Sequence, residues 1–317
     1  MPRECTGSGK APANIALAKY WGKRDSALNL PAVPSLSVSL ADYFIQANVT
    51  FKKDLKADSL IINGEASTAV ELSRVSRFIE HFRRLASRTE HAEIETFVNF
   101  PRSAGLASSA AAFAAVAIAV NDAFRLALSA RELSQLSRLG SGSAARSLFR
   151  GYVELPIDPG DDDAAVVLKP AEHFPLDVVI AITDTSVKAV SSTHAMNRCA
   201  ATSPCFSAWI DAAERDYEMI RTAVLNRDFE QLAKCAEHNA MKMHATAITA
   251  QPPIMYFNDV TLDIIKRVGQ LRNDGLKTFF TVDAGPNVVV LVRPEHRTDL
   301  IDGLRGLQAD FHKTRVG

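Results

Sequence analysis

The spacing of apolar residues predicts an N-terminal unit of strands and helices in irregular order. Alternating and β-branched residues at positions 35–40, 44–51 and 94–100 predict strands, because alternate side chains of a half-buried strand face the core. The apolar period becomes helical over about residues 70–87 and again in an alanine-rich stretch that runs toward Leu128. Residues 60–63 predict a further strand that ends at an Asn-Gly turn.

Two further patterns follow this alanine-rich stretch. Ser129 and Glu132 have the spacing of a capping box and predict another helix. Residues 152–155 and 164–168 predict a hairpin with its tip at 159–163, Pro-Gly-Asp-Asp-Asp. The aspartates of this tip could be imagined as a metal site, but turn chemistry favours a solvated loop.

A second unit begins after Pro170. Residues 176–183 predict an apolar strand, and helical periods follow over 207–225, 229–247 and 258–274. Strands are predicted at 277–282 and 287–292, and a terminal helix at about 297–307. This order is typical of an α+β layer, and we place the domain boundary between residues 172 and 173.

Composition adds limits to this picture. The chain has 317 residues, which favours two domains sharing a cleft, and such clefts are common ligand sites. Its 36 basic side chains balance 36 acidic ones, so we expect neither nucleic acid nor membrane as a partner, and selectivity for anions must come from local cations. Four cysteines without a C-x-x-C pair, and no long apolar run, favour a cytoplasmic protein with reduced thiols.

The segment from residue 101 to 113, Pro-Arg-Ser-Ala-Gly-Leu-Ala-Ser-Ser-Ala-Ala-Ala-Phe, joins a predicted strand to the alanine-rich helix. Gly105 permits a tight turn, and the small side chains of Ala107, Ser108 and Ser109 let an anion approach the first N–H groups of the helix. The helix dipole favours phosphate at this position. A small-residue helix packed closely against a neighbour explains the same pattern about equally well.

A second group of polar residues lies near the N-terminus. Asn14, Lys19, Tyr20 and Lys23 supply amide, ammonium and hydroxyl donors within one short segment. Strand alternation predicts Lys19 and Lys23 on one face, where an anion such as diphosphate would offset their repulsion. Ordinary surface lysines, and a Tyr20 ring that packs with its hydroxyl in water, are the alternatives.

A third group comprises Ser141, Ser143 and Arg146, in glycine- and serine-rich residues 140–147. The planar guanidinium of Arg146 matches a carboxylate or phosphate. Helix caps at the serines and a surface ion pair at Arg146 are the alternative interpretation.

Two further candidates are carboxyl and hydroxyl groups beside predicted element ends. Asp283 follows an apolar strand and precedes Ala-Gly-Pro, a turn that could direct the Asp283 carboxylate into a cleft. The alternative is that this carboxylate only caps the turn by accepting local N–H groups. Ser192 lies at a predicted helix start, where capping is the commoner use of a serine hydroxyl.

No H-E-x-x-H, Walker A, G-x-S-x-G or dinucleotide motif occurs in the sequence. His238 and His244 are six residues apart, a spacing that indicates packing or surface histidines rather than a shared site.

Six segments, taken in order, resemble the diphosphomevalonate decarboxylase family of the GHMP kinase superfamily. They are residues 11–24, 101–112, 141–146, 191–196, 243–246 and 283–287. The phosphate-binding segment is shared by the superfamily, whereas Lys-Tyr-Trp-Gly-Lys together with Asp-Ala-Gly-Pro-Asn is more specific to the decarboxylases. The resemblance implies a two-domain GHMP kinase fold, usually homodimeric, with a ribosomal protein S5 domain 2-like N-terminal domain and a ferredoxin-like α/β sandwich C-terminal domain.

The resemblance also implies an activity, in which ATP and Mg²⁺ serve to convert mevalonate 5-diphosphate into isopentenyl diphosphate, CO₂, phosphate and ADP. Catalytic roles are then implied for Asp283, Arg146 and Lys19. Substrate binding is implied for Asn14, Tyr20, Lys23, Ser141, Gly142, Ser143, Arg146 and Ser192. The nucleotide phosphates are expected at Ser103, Gly105, Leu106, Ala107, Ser108 and Ser109, with the metal at Ser108.

One position departs from the family pattern. Ala195 stands where the family usually has glycine, and its methyl group could restrict an approach near Ser192. Relatives that act on mevalonate 5-phosphate, or phosphorylate mevalonate at its 3-hydroxyl, therefore stay open, as does a GHMP kinase that stops after phosphoryl transfer. A nucleotide-binding protein without catalysis is a third possibility.

Overall fold

The computed structural model describes residues 4–100, 108–158, 160, 163–186 and 189–317. Two main sheets, one from each half of the chain, are covered by helices, which confirms the predicted α+β class. The boundary between residues 172 and 173 falls within a 3₁₀ turn at Ala171–His173, between the last strand of one sheet and the first of the other, and stays a prediction.

The N-terminal sheet has seven strands in the order β6-β5-β7-β4-β8-β9, with β1 also paired to β4. Its strands are β1 (Cys5–Ala18), β4 (Ser35–Lys52), β5 (Ser59–Ile62), β6 (Glu65–Ala66), β7 (His91–Val98), β8 (Tyr152–Leu155) and β9 (Val166–Lys169). A small ribbon joins β2 (Lys23–Asp25) and β3 (Leu30–Pro31). The helices are α1 (Ala69–Ala86), α2 (Ser108–Phe124), α3 (Ala130–Gly140) and a 3₁₀ helix at Gly142–Leu148.

Several local predictions are confirmed in this half. The Ser129–Glu132 capping box is formed, since the Ser129 side chain accepts the Glu132 N–H and Glu132 accepts the Ser129 N–H. The two strands expected at 35–40 and 44–51 are one 18-residue strand, β4, because the backbone stays extended through residues 41–43 between them. The hairpin of β8 and β9 is antiparallel, and residues 159, 161 and 162 of its tip lie outside the described residues.

The C-terminal sheet is antiparallel throughout, in the order β11-β12-β10-β13. Its strands are β10 (Asp177–Ile182), β11 (Thr278–Val282), β12 (Val288–Val292) and β13 (Asp310–Arg315). The helices of this half are α4 (Ser192–Thr202), α5 (Phe206–Asn226), α6 (Phe229–Ile248), α7 (Asp259–Asn273) and α8 (Arg297–Gly303).

The prediction of one terminal helix was wrong in its last part. The helix ends at Gly303, and β13, which was not predicted, adds to the edge of the sheet beside β10. Its sequence, Asp-Phe-His-Lys-Thr-Arg, shows little apolar alternation because most of its side chains remain at least partly exposed. Pairing with β10, rather than local pattern, therefore forms this strand.

The two halves of the chain pack against each other. Gly317 donates its N–H to the Ser39 carbonyl (3.0 Å), and the Thr314 hydroxyl donates to the Asp42 carboxylate (2.8 Å). Tyr217 of α5 donates its hydroxyl to Glu154 of β8 at 2.8 Å. Within the described parts of the chain, no helix is long and apolar enough to cross a bilayer.

Small residues bring β1 unusually close to α2. A Cβ atom built at Gly9 would overlap the backbone of α2 at Ala115 and Ala119, as well as the Ile118 side chain. Backbone atoms cannot move aside independently, so this position requires glycine. The close contact fixes the helix that begins at Ser108 against the strand that leads to Lys19.

We expect Gly9→Ala to lower the free energy of unfolding by roughly 1–3 kcal/mol, since α2 must move away from β1. Urea unfolding at pH 7.5 measures this. Gly269→Ala is the matched control, because a Cβ at Gly269 in α7 meets no atom within 4 Å; alanine there should be neutral or stabilising by roughly 0.5–1 kcal/mol. Equal stability of Gly9→Ala and wild type would contradict the overlap.

Candidate active site

An ion pair between a buried lysine and a partly exposed aspartate joins the two halves of the chain. Lys19 directly follows β1, Asp283 directly follows β11, and Lys19 Nζ lies 2.5 Å from Asp283 Oδ1. The lysine side chain is 2% exposed and that of Asp283 is 24% exposed, so one carboxylate face remains accessible. Burial lowers the pKa of Lys19, Asp283 opposes that shift, and Arg146 adds to it.

The Lys19 ammonium also donates to the Ala16 carbonyl at 2.9 Å. Its backbone N–H donates to Asn239 Oδ1 of α6 at 2.8 Å. Asn239 in turn donates to the buried Asp216 (3.0 Å), whose two oxygens accept Lys242 Nζ at 2.8 and 2.9 Å. The amide orientation of Asn239 is thereby fixed, and Lys19 is held at both its backbone and its ammonium.

Arg146 lies in the 3₁₀ helix and is 1% exposed, contrary to the alternative of a surface ion pair. Its Nε donates to the Ser37 hydroxyl at 2.9 Å and one terminal nitrogen donates to Ser35 at 2.5 Å, both on β4. Burial lowers its pKa to about 10, against the opposing charge of Asp283. No carboxylate within salt-bridge distance accompanies it among the described residues, so this buried cation can accept an anion.

Asn14 and the ribbon residues surround this pair. Asn14 of β1 is buried and donates to the Ser147 hydroxyl at 2.7 Å. Tyr20 donates its hydroxyl to the Asn29 carbonyl at 2.7 Å, and the Lys23 ammonium donates to Asn29 Oδ1 at 2.6 Å. Burial, and then the nearby Arg74, lower the pKa of Lys23.

The expectation that strand alternation places Lys19 and Lys23 on one face was wrong. Strand β1 ends at Ala18, and Lys23 belongs to the separate ribbon. Lys19 is committed to Asp283 instead of sharing an anion with Lys23 along one strand. The chain turns at Trp21 and Gly22, where Gly22 has a φ of +102° that suits glycine.

Three serines face one another beside Tyr20. The Ser109 and Ser141 hydroxyl oxygens lie 3.4 Å apart, as do those of Ser141 and Ser143. Ser141 makes no side-chain cap bond to the 3₁₀ helix, contrary to the alternative of a helix cap. A Cβ built at Gly142 would overlap the Tyr20 ring, so glycine is required there.

The structure describes only some of the residues predicted to bind the nucleotide phosphates. Ser108 is the first described residue of α2, and the first turn of that helix contains no acidic side chain, which suits an anion. Four of the residues predicted for this role lie outside the described residues: Ser103, Gly105, Leu106 and Ala107.

Ser192 and Ala195 lie in the first turns of α4. Ser191, the preceding residue, caps the helix by accepting the His194 N–H at 3.3 Å, whereas Ser192 makes no hydrogen bond to the described residues through its hydroxyl. Ala195 is fully buried in an apolar cluster that includes Trp21 and Met196.

His244 was interpreted as a packing or surface residue, and the structure shows that it is buried directly beside the ion pair. Its Nε2 lies 3.3 Å from the carbonyl oxygen of Val282, the residue before Asp283, and its ring packs 4.3 Å from that of Phe257. Facing a carbonyl, Nε2 must carry the proton. Burial, and then the Lys19 charge, lower the pKa of His244 to about 4, so the ring is neutral at pH 7.

Two family models match the chain. The model of the diphosphomevalonate decarboxylase-like N-terminal domain matches residues 11–166, and that of the mevalonate 5-diphosphate decarboxylase C-terminal domain matches residues 178–315. The chain belongs to the diphosphomevalonate decarboxylase family. The two matched stretches together cover most of its length and include both partners of the ion pair.

Relatives and solved structures of this family resemble the whole chain. The diphosphomevalonate decarboxylase of Candida albicans is 36% identical, over 88% of this chain and 82% of its own length, and that of Ganoderma lucidum is 35% identical over 93% and 80%. The crystal structure of the Staphylococcus aureus mevalonate diphosphate decarboxylase has a TM-score of 0.93 at 35% identity, covering 99% of this chain and 96% of that one. The structure described as MDDEF in complex with MVAPP, AMPPCP and magnesium also has a TM-score of 0.93 at 35% identity, and the match covers 99% of this chain and 97% of that one.

The buried neutral His244 should make stability depend on pH. Its pKa rises to the ordinary 6.5 on unfolding, so the unfolded chain binds more protons below that pH. The contribution of the neutral ring to the free energy of unfolding is complete above pH 6.5 and is lost as the pH drops toward 4. We expect wild type to lose about 2 kcal/mol from this group between pH 7.5 and pH 5, and His244→Asn to lose correspondingly less, as measured by urea unfolding.

His238→Asn is the control for this measurement, because it removes an exposed histidine from the same helix. The same pH dependence in wild type and His244→Asn would show that His244 is not held neutral by its surroundings.

Proposed function

We propose that this chain is an ATP-dependent decarboxylase that converts mevalonate 5-diphosphate into isopentenyl diphosphate, CO₂, phosphate and ADP, a step of the mevalonate pathway of isoprenoid biosynthesis. The Lys19–Asp283 pair beside the buried Arg146 guanidinium is the observation that carries the proposal. Family membership supports it, as does the related complex of MDDEF with MVAPP, AMPPCP and magnesium.

Asp283 deprotonates and orients the tertiary 3-hydroxyl of the substrate. Lys19 holds the carboxylate by one oxygen, which leaves the partly exposed side of the group for the hydroxyl. The γ-phosphoryl group of ATP is transferred to that oxygen, which turns a poor leaving group into a good one. As phosphate departs with the C–O bonding electrons, the electrons of the bond to the carboxylate form the alkene and CO₂ is released.

Arg146 binds the substrate carboxylate, with which it forms the ion pair that it lacks among the described residues. Held by Ser35 and Ser37, the guanidinium fixes the carboxylate without moving, and orientation of this kind can contribute strongly to the rate. Tyr20, Lys23, Ser141, Gly142 and Ser143 bind the diphosphate. Asn14 and Ser192 complete the substrate contacts.

The phosphates of ATP bind at the start of α2, through Ser103, Gly105, Leu106, Ala107, Ser108 and Ser109. The Ser108 hydroxyl is suited to Mg²⁺, a hard cation that prefers oxygen ligands. A metal ion bound there would neutralise part of the negative charge of the ATP phosphates. The absence of acidic side chains from the first turn of α2 supports this assignment.

Three further assignments complete the proposal. The protein acts as a homodimer in the cytoplasm, and its two domains comprise residues 1–172 and 173–317. Four cysteines without a C-x-x-C pair support a reducing compartment.

Purified protein with ATP, Mg²⁺ and mevalonate 5-diphosphate should release ADP and CO₂ in equal amounts. Asp283→Asn should lower kcat by about 10²–10⁴-fold, because a positioned base is lost, while ATP affinity stays near that of wild type. ADP without CO₂ would indicate a kinase that stops after phosphoryl transfer, and ATP binding without turnover a catalytically silent protein. Parallel assays with mevalonate and its 5-phosphate test the substrate.

Arg146→Lys should lower kcat/KM for mevalonate 5-diphosphate by about 10-fold or more, because an ammonium cannot reproduce two parallel hydrogen bonds. Steady-state CO₂ release measures this. Arg150→Lys, at an exposed arginine outside the proposed site, is the control. Wild-type kinetics of Arg146→Lys would separate this residue from the substrate.

A further inference from the structure

Asn29 connects three parts of the proposed substrate site, although it lies outside the six segments that resemble the family. It lies in the turn between β2 and β3 with a φ of +50°, a left-handed conformation that asparagine tolerates better than most residues. Its carbonyl accepts the Tyr20 hydroxyl (2.7 Å), and its Oδ1 accepts the Lys23 ammonium (2.6 Å).

The other side of the Asn29 amide binds the end of α3. Its Nδ2 donates to the Arg138 carbonyl at 3.0 Å and to the Leu139 carbonyl at 2.9 Å, directly before the loop that contains Ser141 and Gly142. These two acceptors fix the amide orientation, because a flipped amide would place its oxygen against carbonyls and its NH₂ against an ammonium.

The neutrality of this amide matters for Lys23. Among the described residues no carboxylate pairs with the Lys23 ammonium, and its surroundings add the like charge of Arg74. Asn29 therefore orients a cation without cancelling its charge. A cation held in this way near a second cation favours an anion.

We propose that Asn29 is the positioning residue of the substrate diphosphate site, where it fixes the Lys23 side chain and the Tyr20 hydroxyl against the Gly142 loop through neutral hydrogen-bonding groups. The inference rests on the proposed function for the identity of the anion. Tyr20 links the two sides of this arrangement, since its ring packs on Gly142 while its hydroxyl donates to Asn29.

Two substitutions test the side chain separately from the backbone. Asn29→Gly keeps the left-handed turn and the carbonyl that accepts Tyr20, but removes the bonds to Lys23 and α3. Asn29→Asp keeps the size and the contact to Lys23, but adds a negative charge and places carboxylate oxygen against the α3 carbonyls. The measurements are kcat, KM for each substrate, thermal unfolding, and the Kd of inorganic diphosphate by calorimetry.

For Asn29→Gly, KM for mevalonate 5-diphosphate and the Kd of inorganic diphosphate should both rise about 10-fold, the size expected for a disturbed charge-assisted contact. We expect kcat and KM for ATP to change less than about threefold, because Asp283 and α2 are not touched by Asn29. Asn29→Asp should weaken diphosphate binding further than Asn29→Gly, since its carboxylate neutralises Lys23.

Asn63→Gly is the matched control. Asn63 also has a left-handed backbone, with a φ of +51°, and its amide bonds to both backbone groups of Val98 at 2.7 and 3.2 Å, outside the proposed site. It should lower stability without changing either diphosphate constant. Diphosphate binding by Asn29→Gly within twofold of Asn63→Gly, or undiminished binding by Asn29→Asp, would overturn the proposal.

Calorimetry with inorganic diphosphate needs no turnover. A wild-type protein that binds diphosphate but releases no CO₂ would therefore contradict the proposed function, while the difference between the Asn29 variants and wild type would still decide the role of Asn29.

Discussion

The Lys19–Asp283 ion pair is the interaction on which the site depends. One partner directly follows a strand of the N-terminal sheet and the other directly follows a strand of the C-terminal sheet, so their 2.5 Å contact exists only while the two sheets are packed together. Burying two charges is costly unless each has further partners. The Ala16 carbonyl supplies one for the ammonium, and the partly exposed side of the Asp283 carboxylate remains accessible to solvent.

The groups around the ion pair are held in place by their own hydrogen bonds. Asn239 holds the backbone of Lys19, His244 contacts the carbonyl before Asp283, and two serines of β4 hold Arg146. A site prepared in this way stabilises developing charge without reorganising during the reaction. The same principle extends to the ribbon, where Asn29 holds Lys23 and Tyr20.

The cations of the site differ in how they are compensated. Lys19 has a carboxylate partner, whereas Arg146 and Lys23 have only neutral acceptors among the described residues. Arg146 and Lys23 therefore remain available to an anion, whereas Lys19 is already paired within the chain. The net charge of the chain is zero, so anion binding must come from these local arrangements.

The sequence by itself determined the elements whose signals are local. The Ser129–Glu132 capping box, the helical periods of α5 to α7 and the apolar strands β10 to β12 follow from contacts within a few residues or from one buried face. The family resemblance brought Lys19, Arg146 and Asp283 together on motif order alone. Only the tertiary structure decided that Lys19 pairs with Asp283, 264 positions away, rather than sharing an anion with Lys23. Strand β13 and the contacts of His244 and Asn29 were likewise decided by the folded chain, because pairing with β10, burial beside Val282 and four simultaneous hydrogen bonds are properties of distant segments that meet there.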